Sequence, residues 1–324
     1  MKYRLCLLGC ALFMLTACST TSKNKKLKLA HGLPVSHPVH EAMQFMADRL
    51  AEKSNGQLQI DLYPSEQLGK ERELVELLQI GSIAITKVSS GVLENFSPNI
   101  RVLGLPYVFR SREHQFAVLD GEIGQTLLEE PRRYRLKGLC YFDAGFRSFY
   151  TIDRPIEHPD DLQGLKIRVM PSKTATEMVN AMGGSANPIP WGELYSALQQ
   201  GVVDGAENNP PSFLSSRHYE VCKFYALNEH TALPDVLIMS TEQFDRLSPE
   251  EQGWLTEAVE EAKVYERKVW AEAEQEALDI VKKQGVSIIR PEKAPFMDKV
   301  SDLLKSYEDE PEIYRLIQQI QAVQ

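Results

Sequence analysis

The sequence has few cysteine and histidine residues, and it does not group them at the spacing of metal ligands. Five cysteines and seven histidines occur among 324 residues. His37 and His40 are three residues apart, but they follow Pro34 and straddle Pro38, so we interpret them as the approach to a helix. We therefore expect no metal site and no cofactor.

Two further absences narrow the class of function. The sequence has no basic stretch with interleaved aromatic residues and a net charge of −9, which argues against a nucleic-acid partner. Neither Gly-x-Ser-x-Gly nor His-Glu-x-x-His occurs, and Gly183-Gly184 lacks the pattern of a dinucleotide-binding turn. These absences argue against the common hydrolase, zinc-protease and dehydrogenase classes.

The N-terminus indicates export. Lys2 and Arg4 precede an apolar run over residues 5–17, which is too short to span a bilayer and has the form of a signal peptide. The run ends in Leu-Thr-Ala-Cys, which resembles the lipobox of bacterial lipoproteins and implies that Cys18 is lipidated and anchors the chain to a membrane. The alternative is ordinary cleavage near Ala17. We expect residues 1–17 to be a signal peptide and residues 18–26 a basic tether, with the protein in the periplasm.

Beyond the tether, predicted strands alternate with predicted helices, which is typical of parallel α/β layers. About 300 residues are more than one domain usually contains, so we expect two lobes. Cys140 and Cys222 either pair or are buried small hydrophobes. The predicted strands are 27–30, 58–63, 83–88, 138–142 and 165–170, and the predicted helices are 41–54, 70–79, 172–182 and 191–200.

A long helix is predicted near the C-terminus. Ser248, Pro249 and two glutamates form a strong helix start, and helical patterning continues to Gln284. No sustained heptad with apolar a and d positions is present, so a coiled coil is disfavoured. We expect one helix that crosses both lobes.

Two arginines stand in apolar surroundings. Arg168 lies within an apolar strand-like run, and Arg147 is flanked by aromatic residues. A guanidinium stays charged, so a buried one needs an anion, which is either a protein carboxylate or a ligand. The residues alone leave open whether the two arginines form structural ion pairs or a clamp for a carboxylate.

Several segments resemble the solute-binding proteins of TRAP (tripartite ATP-independent periplasmic) transporters, the DctP family. The resemblance covers nearly all of the mature chain and implies an α/β fold of the type II-like periplasmic-binding-protein kind, whose two lobes close on a ligand. It also implies a receptor, not an enzyme, that serves two integral membrane subunits. The segments are QLQIDLYP (57–64), QLG (67–69), LPYVF (105–109), DLQGLKIR (161–168) and ELYSALQQGVVDGAEN (193–208).

The resemblance implies roles for individual residues. Arg168 matches the arginine that forms a two-pronged salt bridge to the ligand carboxylate in this family, and Arg147 matches a second ligand-binding arginine of the sialic-acid receptors. Asn208 matches a ligand-contacting asparagine. Ser89 stands where the sialic-acid receptors have a glutamate, which argues against sialic acid. The other ligand-binding candidates are Trp191, His31, Lys87, Glu207 and His230.

Some details resemble the uronate-binding branch of the family: TKVS (86–89), RSFY (147–150), ENN (207–209), EHT (229–231) and PDV (234–236). A sugar acid needs one carboxylate clamp and several hydroxyl partners. We therefore predict a hexuronate such as glucuronate or galacturonate, with gulonate or another aldonate, a C4-dicarboxylate and sialic acid as alternatives. Lys87 either reaches the site or is half-exposed at a strand end, and for His230 a hydrogen-bonding role in the core is preferred.

The predicted first lobe comprises residues 27–145 and 234–270, and the second comprises 146–233 and 271–324. We expect a monomer. The alternative from another class is an exported sugar-acid lyase or isomerase with Lys87 or His230 as its general base. A third possibility is a sensor receptor that acts on a signalling partner and not on a transporter.

Overall fold

A computed structural model describes residues 24–324 of the chain. The predicted signal peptide, Cys18 and most of the tether lie outside the described residues. The strands are β1 (Lys25–Ala30), β2 (Leu58–Tyr63), β3 (Ile85–Ser89), β4 (Leu136–Phe142), β5 (Arg147–Thr151), β6 (Lys166–Val169), β7 (Ser185–Pro188), β8 (Gly205–Asn208), β9 (Phe224–Thr231), β10 (Asp235–Ser240) and β11 (Ser287–Ile289).

The helices agree with most of the predicted ones, within a few residues at their ends. They are α1 (Pro38–Lys53), α2 (Glu71–Gln79), α3 (Ser90–Leu93), α4 (Arg112–Asp120), α5 (Glu122–Glu129), α6 (Lys173–Ala181), α7 (Leu194–Gln199), α8 (Pro210–Ser215), α9 (Thr241–Asp245), α10 (Pro249–Lys283), α11 (Ala294–Ser306) and α12 (Pro311–Ala322). The predicted helix 191–200 begins as a 3₁₀ turn, Trp191–Glu193, before α7. Within residues 24–324, no helix is both long and apolar enough to cross a membrane.

Two sheets define two lobes. The first lobe contains a five-stranded sheet in the order β2-β1-β3-β10-β4, and the second contains a six-stranded sheet in the order β11-β9-β5-β8-β6-β7. β1 pairs in parallel with β2 and β3, and β6 pairs in parallel with β7 and β8. The two-lobed α/β prediction is confirmed.

The sheets are mixed, although the alternation of strands and helices predicted parallel layers. β10 runs antiparallel to β3 and β4, and β5 runs antiparallel to β8 and β9. The chain enters β5 directly from β4 and β10 directly from β9, through short links that contain no helix. These two links, residues 143–146 and 232–234, also carry the chain from one sheet to the other.

The long helix α10 is the third connection between the lobes. Ser248 caps it, accepting a hydrogen bond from the N–H of Glu251 while the Glu251 carboxylate accepts from the N–H of Ser248. Its 35 residues span about 52 Å. Leu255 and Trp270 belong to the core of the first lobe, whereas Val281 belongs to a core cluster of the second. The prediction of one helix across both lobes is therefore confirmed.

The C-terminal helix packs differently from what the predicted lobe boundaries imply. We expected residues 271–324 to belong to the second lobe. The apolar face of α12, including Ile313 and Ile320, instead lies in the same cluster as Leu119 and Leu127 of the first lobe. Cys140 and Cys222 are both free and buried, so they are small core residues in this fold.

A buried acid lies where the first link crosses α10. Glu266 is fully buried, its Oε2 accepts a hydrogen bond from the N–H of Asp143 (2.8 Å), and its Oε1 has no donor among the described residues. Burial, and then the nearby Asp143 carboxylate, raise the pKa of Glu266 well above its ordinary value of 4.5. The link thus rests on a carboxyl group that favours the protonated form.

Glu266→Gln should make the protein more stable than the wild type, and the difference should increase as the pH rises. Because the folded-state pKa is raised, the stability contributed by Glu266 is present below about pH 4.5 and is lost as the pH rises through the folded-state pKa. When the folded-state and unfolded-state pKa values differ by one, the stability changes by about 1.36 kcal/mol. Urea unfolding should therefore show little difference between Glu266→Gln and the wild type at pH 4, and a more stable Glu266→Gln protein at pH 8.

The exposed Glu272 of the same helix provides the control, and Glu272→Gln should follow the wild-type pH profile. A Glu266→Gln curve parallel to the wild-type curve from pH 4 to pH 8 would contradict the assignment.

Candidate functional site

A cavity of about 310 Å³ lies between the two lobes. The first lobe contributes the segments that follow β1 and β2, the strand β3 and the start of β10. The second lobe contributes β5, the carboxyl ends of β6 and β8, and the segment before α7. Ligands in open α/β folds bind at such strand ends. The lining residues are Gly32, Leu33, Glu66, Lys70, Glu71, Arg72, Glu73, Lys87, Ser89, Val92, Ala144, Arg147, Arg168, Met170, Pro171, Pro190, Trp191, Asn208, Asn209, Ser212, Leu233 and Asp235.

Arg168 lines the cavity without a counter-charge from the described part of the chain. It is 2% exposed, and its Nε donates to the carbonyl of Ile189 (2.8 Å). Among residues 24–324, neither terminal nitrogen has a hydrogen-bond acceptor and no carboxylate lies within ion-pair distance. The guanidinium lies over the ring of Trp191, 5.9 Å from its centre. Burial lowers the pKa of Arg168 to about 10, so it is still a cation at neutral pH.

Arg147, in contrast, has all three guanidinium nitrogens bonded to protein. It forms a two-bond salt bridge with Glu207, in which Nη2 lies 2.8 Å from Oε1, and it also donates to the Asn208 side chain (2.6 Å). Burial by itself would raise the pKa of Glu207, but the charge of Arg147, the nearby His230 ring and the hydrogen bonds from Arg147 lower it to about 2. The pair is therefore fully ionised and carries no net charge.

Lys87 belongs to a second buried group of charges. Its Nζ donates to Glu71 (2.8 Å) and to Asp235 (3.2 Å). Burial opposes the ammonium form, but the two carboxylates raise the pKa of Lys87 above its ordinary value. The side chain is 3% exposed, so the interpretation of Lys87 as a half-exposed residue at a strand end is wrong.

Three further predicted residues add polar and aromatic surface to the cavity. The Asn208 side-chain oxygen accepts from Arg147 and from the N–H of Asn209, which leaves its NH₂ group for another acceptor. The Ser89 hydroxyl lies 3.4 Å from the sulfur of Met170 in the opposite lobe. Trp191 provides an apolar face beside Arg168.

His31, Glu207 and His230 are not among the residues that line this cavity. His31 is fully buried and bonded to His40 (3.0 Å), and burial followed by the charge of Lys87 lowers its pKa to about 3. His230 lies behind the Arg147 pair, with its Nε2 3.5 Å from Glu207 and its Nδ1 3.0 Å from Asn228. These three residues support the cavity wall.

The sequence did not indicate several lining residues. Glu71 begins α2 and belongs to no recognisable local motif. Asp235 begins β10, and its only local motif is PDV at 234–236. The available signal was weak: Asp235 is an acid at the start of an apolar strand, where a buried partner is needed. The residues not predicted also include Glu66, Lys70, Arg72, Glu73, Met170, Asn209 and Ser212.

The geometry favours binding over catalysis. Lys87 is held as an ammonium ion by two carboxylates, and His230 does not reach the cavity, so neither candidate base is available. The described residues contain no group of three or more His, Cys, Asp or Glu side chains arranged to hold a metal. The cavity thus offers one unpaired cation, several hydrogen-bonding groups and an aromatic face.

Comparison with known proteins shows the family to which the chain belongs. The family described as bacterial extracellular solute-binding protein, family 7 (DctP), matches residues 29–310. The uncharacterized protein YiiZ of Salmonella typhimurium is 38% identical over 289 residues, which are 89% of this chain and 88% of YiiZ.

Two solved structures are also similar. A TRAP periplasmic solute-binding protein of Xanthobacter autotrophicus with bound β-D-galacturonate has a TM-score of 0.89 and 37% identity over 92% of this chain and all of its own. One from Pseudomonas putida with bound D-glucuronate has a TM-score of 0.89 and 36% identity over 93% of this chain and 98% of its own.

The chain therefore belongs to the DctP family of extracellular solute-binding proteins and is a solute receptor of the TRAP type, not an enzyme.

Arg147→Ala should destabilise the free protein. The substitution leaves the Glu207 carboxylate buried without its main counter-charge, which costs about 3–5 kcal/mol. Urea unfolding without ligand should show this loss, and Arg147→Ala combined with Glu207→Gln should recover most of it.

Arg168→Ala is the matched control, since it removes a buried arginine without leaving a carboxylate unpaired. It should lower stability much less than Arg147→Ala does. Equal losses for the two variants would show that the Arg147 pair has no special structural role.

Proposed function

We propose that this receptor binds a hexuronate such as glucuronate or galacturonate, and that Arg168 holds the ligand carboxylate with two parallel hydrogen bonds. The observation that carries the proposal is the pairing of the other cations that line the cavity. Lys87 and Arg147 have buried carboxylate partners, whereas Lys70 is bonded to Glu193 and Arg72 to Glu76. Arg168 alone among these lining cations has no carboxylate within ion-pair distance in the described chain.

A desolvated guanidinium with free terminal nitrogens matches a carboxylate in both charge and geometry. The adjacent Trp191 ring can lie against the apolar face of a pyranose ring, as aromatic residues do in many ligand sites. The cavity volume of about 310 Å³ lies at the small end of the range for ligand pockets, which suits a monosaccharide.

Hydroxyl groups of the sugar have partners in both lobes. The Asn208 amide, the Ser89 hydroxyl and the carboxylates of Glu71 and Asp235 all border the cavity. Succinate has no hydroxyls, so it would leave these buried polar groups unpaired, and such a mismatch is costly. The two uronate-bound relatives support the same class of ligand, and they make an aldonate, a C4-dicarboxylate or sialic acid less favoured.

The decisive experiment compares ligand affinities of the wild type, Arg168→Ala and Arg168→Lys by calorimetry. The wild type should bind a hexuronate and should bind succinate and sialic acid much more weakly. Removing one member of a buried charge pair costs about 3–5 kcal/mol, so Arg168→Ala should weaken uronate binding by roughly 100- to 1000-fold or more. Arg168→Lys should restore only part of the affinity, because an ammonium cannot form the planar two-bond contact.

Thermal melting of the free variants separates a binding role from a structural one. Arg168→Ala should stay folded, because no protein carboxylate depends on it. Tight succinate binding with no uronate binding would overturn the choice of ligand. Normal uronate binding by a less stable Arg168→Ala protein would overturn the role of Arg168.

The proposal extends to the membrane. We propose that residues 1–17 are a signal peptide, that lipidated Cys18 anchors the receptor through its basic tether, and that the closed receptor delivers its ligand to the two integral TRAP subunits. The motif at residues 15–18 supports the anchor, because two or more acyl chains on one cysteine give stable membrane binding.

Cys18→Ser should release the protein from the membrane. Full-length wild-type protein expressed in a bacterium should partition into detergent, whereas the Cys18→Ser protein should stay in the aqueous phase. Equal partitioning of both into detergent would contradict lipidation at Cys18. Cys140→Ser, which changes a buried cysteine of the folded region, provides the control and should partition like the wild type.

A further inference from the structure

The charged group Glu71–Lys87–Asp235 lies in the wall of the cavity that the first lobe provides. Lys87 comes from β3, Asp235 begins the neighbouring strand β10, and Glu71 begins α2. All three residues line the cavity, and Lys87 and Asp235 are almost completely buried. Three independent segments are therefore needed to place these charges together beside the ligand.

The group has a net charge of −1, because one ammonium faces two carboxylates. Glu71 uses Oε1 and Asp235 uses Oδ1 to accept from Lys87. The second oxygen of each carboxylate has no donor among residues 24–324. Burial raises the pKa of Asp235, and the charge of Lys87 opposes this shift. Each free oxygen can accept a hydrogen bond from a ligand hydroxyl.

Other charges near the cavity do not cancel this excess. Lys70 and Arg72, the nearest lining cations in sequence, are bonded to Glu193 and Glu76. Glu66 and Glu73 add further negative charge, and they accept hydrogen bonds from the backbone of Gly192 and Lys70, respectively. The first-lobe wall is thus negative, whereas Arg168 makes the second-lobe wall positive.

We propose that the Glu71–Lys87–Asp235 group is a specificity filter that accepts hydroxyl donors and rejects ligands with a second carboxylate. The inference rests on the proposed function, since it requires that Arg168 holds the first carboxylate. A ligand bound in that way directs its other end toward the first lobe. Hydroxyls there can donate to the free carboxylate oxygens, whereas a second carboxylate meets like charge in a desolvated site.

The group also explains how a lysine can line an anion-binding cavity without attracting a second anion. An isolated buried lysine would favour a dicarboxylate. Because two protein carboxylates surround one lysine, the local charge is negative and not positive. The group therefore disfavours a second ligand carboxylate by electrostatic repulsion. Dicarboxylic and aldaric acids are therefore disfavoured by the charge of this group, in addition to any mismatch of hydroxyl groups.

The test uses three sugar acids, of which gluconate and glucarate differ only at C6, where one has a primary alcohol and the other a carboxylate. Glucuronate is the cyclic monoacid, gluconate is an open-chain monoacid, and glucarate is the open-chain diacid of the same length as gluconate. The ratio of the glucarate Kd to the gluconate Kd isolates the second carboxylate. Calorimetry at neutral pH and low salt should give a ratio of about ten or more for the wild type, because like-charge contacts in a desolvated site are strongly unfavourable.

Glu71→Gln keeps the shape of the side chain and makes the group neutral. It should reduce the Kd ratio to within about threefold, mainly by strengthening glucarate binding, because the repulsion is removed. Asp235→Asn should act in the same direction and serves as the second variant if Glu71→Gln melts far below the wild type. Glu272→Gln changes an exposed glutamate of α10 that does not line the cavity, and it should leave the ratio as it is in the wild type.

The outcomes separate this inference from the proposed function. A high wild-type ratio that falls in Glu71→Gln and Asp235→Asn, but not in Glu272→Gln, supports the filter. If glucuronate binds but glucarate binds as tightly as gluconate, or if neither variant changes the ratio, the filter is wrong and the uronate receptor stands. If the wild type does not bind glucuronate, the proposed function fails, and the filter fails with it.

Discussion

The organisation of the cleft depends on the pairing of buried charges. Burying an ion is unfavourable unless a partner compensates it, and the fold provides carboxylates for Arg147 and Lys87 from neighbouring strands and a helix. Arg168 is given only a backbone carbonyl and the face of Trp191. In the function proposed above, the ligand carboxylate supplies the missing counter-charge, so the binding of a carboxylate offsets the unfavourable burial of this guanidinium.

Three connections join the two lobes on either side of the cleft. Two short links and the helix α10 join the sheets, and the helix contributes Trp270 to one core and Val281 to another. Glu266 accepts a hydrogen bond from the first link at Asp143. A buried carboxyl group at that point ties the link to the helix, whereas a purely apolar contact would leave the Asp143 N–H without an acceptor. The lobes are thus joined at three defined points, which are the two links and α10.

Local patterns predicted much of the fold. The helix start at Ser248 and the periodicity after it indicated α10 from Pro249 to within one residue of its observed end, and β2 was predicted at its observed bounds. The antiparallel strands were missed, because β5 and β8 are short and their pairing joins segments far apart in the chain. The packing of α12 on the first lobe was missed for the same reason: an amphipathic helix shows that it has a partner but not which one.

For the site, the sequence by itself determined which residues carry charge in apolar surroundings, and the motif DLQGLKIR indicated that Arg168 is one of them. It could not decide which arginine is paired within the protein. That depended on the register between β5 and β8, which sets Phe149 opposite Glu207 and Ser148 opposite Asn208, and thereby places Arg147 beside both acceptors. Likewise, only the tertiary structure showed that Glu71 and Asp235 pair with Lys87. These residues are far apart in the chain, and the arrangement of strands and helices that brings them together is not visible in any local sequence pattern.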